Sequence, residues 1–225
     1  MTSLPAVTPI RPASSLRERV ELALEAAIRS GEMPAGEVFS APALGAQFDV
    51  SATPVREAML NLEAKGFVET VRNKGFRVTA VSDRDIDEIV EVRRLLEPPV
   101  MRQIAGKIGP EAHDELSRLA DAIVTNAARG DLSAYLEADR AFHAALTDQA
   151  GNRRLTELVS DLRRQTRLPG LAGLLATEEL AQSAAEHHDL LRLLSEGKGE
   201  EAEDLMHKHI GHVIGWWAGR PEPGA

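Results

Sequence analysis

The sequence contains no cysteine. Disulfides, thiolate nucleophiles and cysteine-ligated metals are therefore excluded, and any metal must be held by His, Asp or Glu. No apolar run approaches the roughly 20 residues needed to cross a bilayer. The opening MTSLPAVTPIRPASS has neither a basic leader nor an apolar h-region, so a cytoplasmic protein with no membrane partner is expected. A glycine-rich phosphate loop and a Ser/His/Asp arrangement for nucleophilic catalysis are also missing, which argues against an enzyme.

What remains is a chain of 225 residues, 43% hydrophobic and 27% charged. That is enough for one large or two ordinary domains, each with a core. The net charge of -9 is unevenly spread. Residues 1–80 carry nine Lys/Arg and nine Asp/Glu, whereas 81–225 carry 17 and 26. Five basic and three acidic residues between Val50 and Ala80 leave room for a local phosphate-facing surface.

Residues 1–13, with Pro5, Pro9 and Pro12, read as a mobile tail. From Ser14, a possible cap, SLRERVELALEAAIRSG repeats apolar residues at helical spacing and stops at Gly31. A turn leads to a short helix, APALGAQF, and then to SATPVREAMLNLEAKG, which Ser51 or Thr53 can cap and whose Pro54 suits a first turn. FVETV and FRVTAV then read as strands around RNKG. Three helices followed by a hairpin give the order of a winged helix-turn-helix domain over residues 14–81. Its third helix, carrying Arg56, would enter a major groove, while Arg72, Lys74 and Arg77 of the wing lie along phosphates or a minor groove. Solvated arginines on a structural domain are the competing reading.

AIRSGEMPAGE and FDVSATPVREAMLNLEAKGFVETVRNKGFRV resemble the N-terminal domain of GntR-type bacterial transcription regulators, with VSATPVREA the specific part. The resemblance implies that Thr53 and Arg56, next to the cap Ser51, contact an operator, and that Gly75 shapes the wing. Ala52 departs from the family pattern where an arginine is frequent, and Pro42 where charged residues are usual, so the operator sequence does not carry over.

From Ser82 to about residue 219 only helical segments are found, at roughly 83–107, 110–128, 132–149, 153–167, 178–196 and 200–217. They suggest a mainly α protein whose second domain is an antiparallel helical bundle with a central cavity. Pro98 and Pro99 should kink or split the first of these helices.

Polar residues on the apolar stripes are informative, because burial there costs free energy unless something pairs with them. In EADRAFHAAL, Asp139 and His143 share a stripe with Leu132, Leu136 and Leu146. His187 aligns with Leu180, Ala184, Leu191 and Leu194, while Glu186, beside Glu179 and Ser183, should face away. His209 lies with Ala202, Met206 and Val213, and His212 is ambiguous. Arg93 is bracketed by Ile86, Ile89, Leu96 and Val100 and needs an anion, whereas Arg94 should face outward. Each histidine alone reads more readily as a hydrogen-bonded core residue. Together, Asp139, His143, His187 and His209 suit a divalent Zn, Ni, Mn or Fe ion. A metal-free cluster in which Asp139 pairs with the histidines, and a metal-dependent hydrolase, are the alternatives.

DRAFH, then Gly151-Asn152, EHHDLLRLL and AEDLMHKHI resemble the all-helical ligand-binding domain of the FadR branch of the GntR family. In its metal-containing members, the matching positions are the same four residues. The resemblance further implies a small carboxylate effector contacted by Arg93 and Asn152, a homodimer, and an inverted-repeat operator on double-stranded DNA. A repressor released by its effector is the function so implied.

Overall fold

The computed structural model describes residues 15–166, 168, 170–175 and 177–218. The tail at 1–13, Ser14 and the terminal RPEPGA lie outside them. Ser15 caps α1 (Leu16–Ser30) in a box completed by Glu18, and Gly31 ends it in the left-handed conformation. A two-residue strand not expected from the sequence, β1 (Val38–Phe39), precedes α2 (Ala41–Gln47). Pro42 falls in the first turn of α2, behind the cap Ser40, where its missing N–H costs nothing. Helix α3 (Ala52–Ala64) is followed by β2 (Val68–Val71) and β3 (Gly75–Val78).

The strands form an antiparallel sheet in the order β1-β3-β2, with Thr70 opposite Phe76 and Val38 opposite Arg77. Alternation along β3 buries Phe76 and Val78 against Val55, Met59 and Leu62 of α3. Backbone crowding demands two of the glycines. A Cβ on Gly45 would stand 2.8 Å from the Val50 carbonyl, and one on Gly75, at φ +135°, only 2.2 Å from that of Phe39.

The second part comprises α4 (Asp83–Ile104), α5 (Pro110–Arg129), α6 (Leu132–Asp148), α7 (Arg153–Gln165), α8 (Glu178–Ser195) and α9 (Gly199–Gly211). Short 3-10 turns occupy Leu171–Leu174 and Trp216–Ala218, so the last helix stops earlier than its apolar pattern suggested. α4 runs unbroken through Pro98 and Pro99, against expectation. Pro99 and Leu95 both face solvent. The Leu95 carbonyl, deprived of its helical donor, can therefore be reached by water.

α5 packs against α6 and α8, and α4 against α9 and α7. Two cores result. Val20, Leu24 and Ile28 of α1 belong to the winged core, whereas Ala26 on another face of α1 joins the bundle core with Leu116, Tyr135, Phe142 and Leu190. The backbone is joined across this junction too, since Leu168 N–H donates to the Arg29 carbonyl at 2.7 Å.

Candidate metal centre and nucleic-acid interface

α6 and α8 bring Asp139, His143 and His187 together, and α9 adds His209. All four are buried, and their ligand atoms lie within 4.8 Å of one another. His143 Nε2 is 3.1 Å from His187 Nε2, which is 3.2 Å from Asp139 Oδ1; His143 Nε2 is 3.6 Å from the same oxygen. Donors bound at ~2.0–2.2 Å to one ion in tetrahedral or octahedral array stand roughly 3.0–3.5 Å apart, so these spacings fit a single cation.

Hydrogen bonding fixes where the lone pairs point. His187 Nδ1 is 3.0 Å from the Ala184 carbonyl, which can only accept, so the proton sits on Nδ1 and Nε2 faces the Asp139 carboxylate as a second acceptor. His209 Nδ1 likewise donates to Glu186 Oε2 at 2.9 Å, and its buried Nε2 has no hydrogen-bond partner. Burial, with Arg163 adding, holds His143 well below the usual imidazole range, and burial takes His209 down to about 4. Burial would raise Asp139, yet its carboxyl lies well below the usual carboxylate range, with the Arg163 guanidinium beside it at 3.5 Å. The imidazole nitrogens that face inward and the Asp139 carboxylate form a donor set that a divalent cation satisfies.

Around this cluster lies a charged layer that the stripes revealed only in part. Arg93 is buried as expected, but its anion is internal: Nε donates to Glu97 Oε1 at 2.7 Å, and Nη1 contacts Thr166 Oγ1 at 3.4 Å. Glu97 also receives Arg163, through Nε at 2.9 Å and through Nη2. Arg163 in turn reaches Asp139 Oδ2 at 3.5 Å, while Oδ1 faces the imidazoles. Against its burial, Arg163 and Arg93 hold Glu97 down to about 2. Arg29 of α1, also buried, donates from Nε to the Thr166 carbonyl at 3.2 Å. A continuous polar chain thus runs from Asp139 through Arg163, Glu97, Arg93 and Thr166 to the first domain.

Several expectations are corrected. Glu186 does not face away; it is buried and accepts from His209, from His212 Nε2 at 2.8 Å and from Lys208 Nζ at 3.0 Å. His212, ambiguous from its spacing, is fully buried and stacks on Trp216 at 4.5 Å. Arg94 is half-buried over Gly211, where an added Cβ would fall 2.7 Å from its Nη2. Asn152 is exposed and caps α7 by accepting from Leu155 N–H. Glu97 and Arg163 were not singled out from the sequence.

In the first domain, Thr53 and Arg56 are exposed on α3, and Ser51 is its N-cap without a side-chain bond. Arg56, Arg72, Lys74 and Gly75 line one groove of about 420 Å³ between α3, the start of α2 and the wing. Arg77 stands apart from it, bonded across the sheet to Glu69 at 2.8 Å. The groove gathers Arg56, Arg72 and Lys74, a local concentration of positive charge in a chain of net charge -9, which suits phosphate binding.

A winged helix-turn-helix with a basic groove, joined to a helical domain, defines a two-domain DNA-binding protein. Residues 16–78 match the model for bacterial regulatory proteins of the gntR family, and residues 88–212 match the FCD domain. The chain belongs to the GntR family of transcription regulators, and its FCD domain fits the FadR-like branch. Among its relatives, the HTH-type transcriptional regulator LutR of Bacillus subtilis (strain 168) is 31% identical over 210 residues, covering 83% of this chain and 94% of LutR. A probable D-xylose utilization operon transcriptional repressor of Paenarthrobacter nicotinovorans is 28% identical over 183 residues, 81% and 80% of the two chains. Of solved structures, E. coli McbR/YncC matches with a TM-score of 0.72 at 25% identity, over 92% of this chain and 99% of that one. These relatives are regulators, not enzymes.

Proposed function

We propose that this regulator is a homodimeric repressor whose grip on an inverted-repeat operator is set by a small organic acid bound at a metal held by Asp139, His143, His187 and His209. The observation that carries the metal is the His209 Nε2 lone pair, buried without a partner beside two other imidazoles and a carboxylate. The bound ion, Zn, Ni, Mn or Fe, would supply a positive centre for the acid's carboxylate. Tyr135 and Ser183 each lie one helical turn from a ligand, four residues before Asp139 and His187, with their side chains buried. They stand ready to donate to the acid's other oxygens. Arg93 and Arg163 reach it by exchanging Glu97 for the effector carboxylate, a trade between like anions at the same guanidinium groups.

The polar chain to Arg29 gives such an exchange a route to the winged domain. Two dimer geometries, only one matching the operator half-sites, complete the switch. The D-xylose relative, named as a probable repressor, favours repression over activation. In the winged domain Thr53 and Arg56 read bases, Ser51, Arg72 and Lys74 meet the backbone, and Gly75 keeps the wing tight. Arg77 acts there only by leaving Glu69.

Protein purified without affinity tag or chelator should contain one metal per chain by elemental analysis. Metal-free protein with an intact fold would favour the structural reading of the cluster. Fluorescence anisotropy on duplexes selected from a random library should show operator release by organic acids, with His187→Ala losing that response before it loses DNA binding.

A further inference from the structure

Resting on the metal reading above, we propose that Glu186 is the positioning residue that aims His209 at the ion. An imidazole can present either nitrogen to a metal, and its other nitrogen decides which. For His187 the second nitrogen is tied to a carbonyl of its own helix, Ala184 O. For His209 the hold on Nδ1 comes from a different helix, through Glu186 Oε2 at 2.9 Å.

The carboxylate is itself held from behind. His212 Nε2 shares the same oxygen at 2.8 Å, and Lys208 Nζ takes the other at 3.0 Å. His212 is locked against Trp216, and Trp217 packs edge-on to the His209 ring at 6.0 Å. Glu186, His209 and His212 also fall within metal-ligand distance of one another. That trio does not read as a second cation site, because Lys208 already neutralises the carboxylate and His209 Nδ1 is committed to it as a donor. Glu186 therefore joins α8 to α9 and turns the Nε2 lone pair inward. It adds negative charge behind the ring, which raises the basicity of the ligating nitrogen.

The test uses the full-length chain stripped of metal and titrated with Zn(II) against a chromogenic chelator. Glu186→Ala should bind zinc about 10- to 100-fold more weakly than wild type. Glu186→Gln should fall within a few-fold of wild type, because its amide oxygen still accepts from Nδ1–H. In metal-free wild type, imidazole nitrogen shifts should show His209 as the Nδ1–H tautomer, which leaves Nε2 free to bind the ion. Wild type that binds zinc alongside a folded Glu186→Ala of equal affinity overturns the role of Glu186 and spares the metal reading. Wild type that binds no zinc overturns both. If Glu186→Ala does not fold, the tautomer decides: an Nε2–H His209 in metal-free wild type refutes the proposal.

Discussion

Glu97 receives two guanidinium groups in a buried site, and both would be stranded without it. Breaking such a cluster from one side is costly, because uncompensated charge stays buried. Glu97→Gln should therefore destabilise the protein by about 3–5 kcal/mol in urea unfolding. Its pH dependence has a definite sign. The folded pKa of about 2 lies below the ordinary 4.5, so protonation favours the unfolded chain. The stabilisation is complete above pH 4.5 and is lost as pH falls toward 2. A shift of this size corresponds to roughly 3 kcal/mol. The urea midpoint should drop between pH 6 and pH 3 more steeply in wild type than in Glu97→Gln; parallel curves would show that Glu97 is not the titrating group.

At the level of the element, the wing depends on a backbone approach that leaves no space for a side chain. Gly75→Ala would place a Cβ within 2.2 Å of the Phe39 carbonyl at a φ that L residues avoid. On the order of 2–3 kcal/mol should be lost from the winged domain. DNA affinity should fall while far-ultraviolet circular dichroism still reports the helices. Arg56→Ala is expected to weaken operator binding with the fold unchanged and, because Arg56 reads a base, to lower discrimination at that position by about 1–3 kcal/mol in anisotropy titrations against single-site operator variants.

Helical facing was enough to select Asp139, His143, His187 and His209, because each lies on a narrow stripe of leucines and alanines whose direction is unmistakable. Glu186 was misjudged because α8 is sandwiched between α5 and α9, so its buried arc extends past the leucine stripe and takes in Ser183 and Glu186. Arg163 and Arg164 are adjacent in a strongly polar helix, and the packing of α7 on α4 and α6 decides which points inward. Glu97 immediately precedes two prolines that suggested a break, whereas the helix continues through them. Asn152, assigned to the effector by family likeness alone, has no stripe behind it, and the structure gives it a capping role.

For the whole molecule, the sharpest prediction concerns Arg29, whose side chain lies in the second domain while its helix belongs to the first. Arg29→Met keeps much of the apolar stem but removes the bond to the Thr166 carbonyl. Operator affinity without effector should stay within a few-fold of wild type, and the shift produced by the effector should shrink by about 1–2 kcal/mol in paired anisotropy titrations. An unchanged shift would mean that the signal travels elsewhere.

Because α1 contributes Ala26 to the bundle core while Val20, Leu24 and Ile28 fill the winged one, the second half of the chain does not own all of its own interior. A scissile site at Ser82 would yield an N-terminal fragment with a bare cationic side chain and a C-terminal fragment with a hole where a helix used to lie. Calorimetry on the intact chain should accordingly record a single endotherm, and grafting this DNA reader onto an unrelated sensor would need a surrogate for the lost bundle surface.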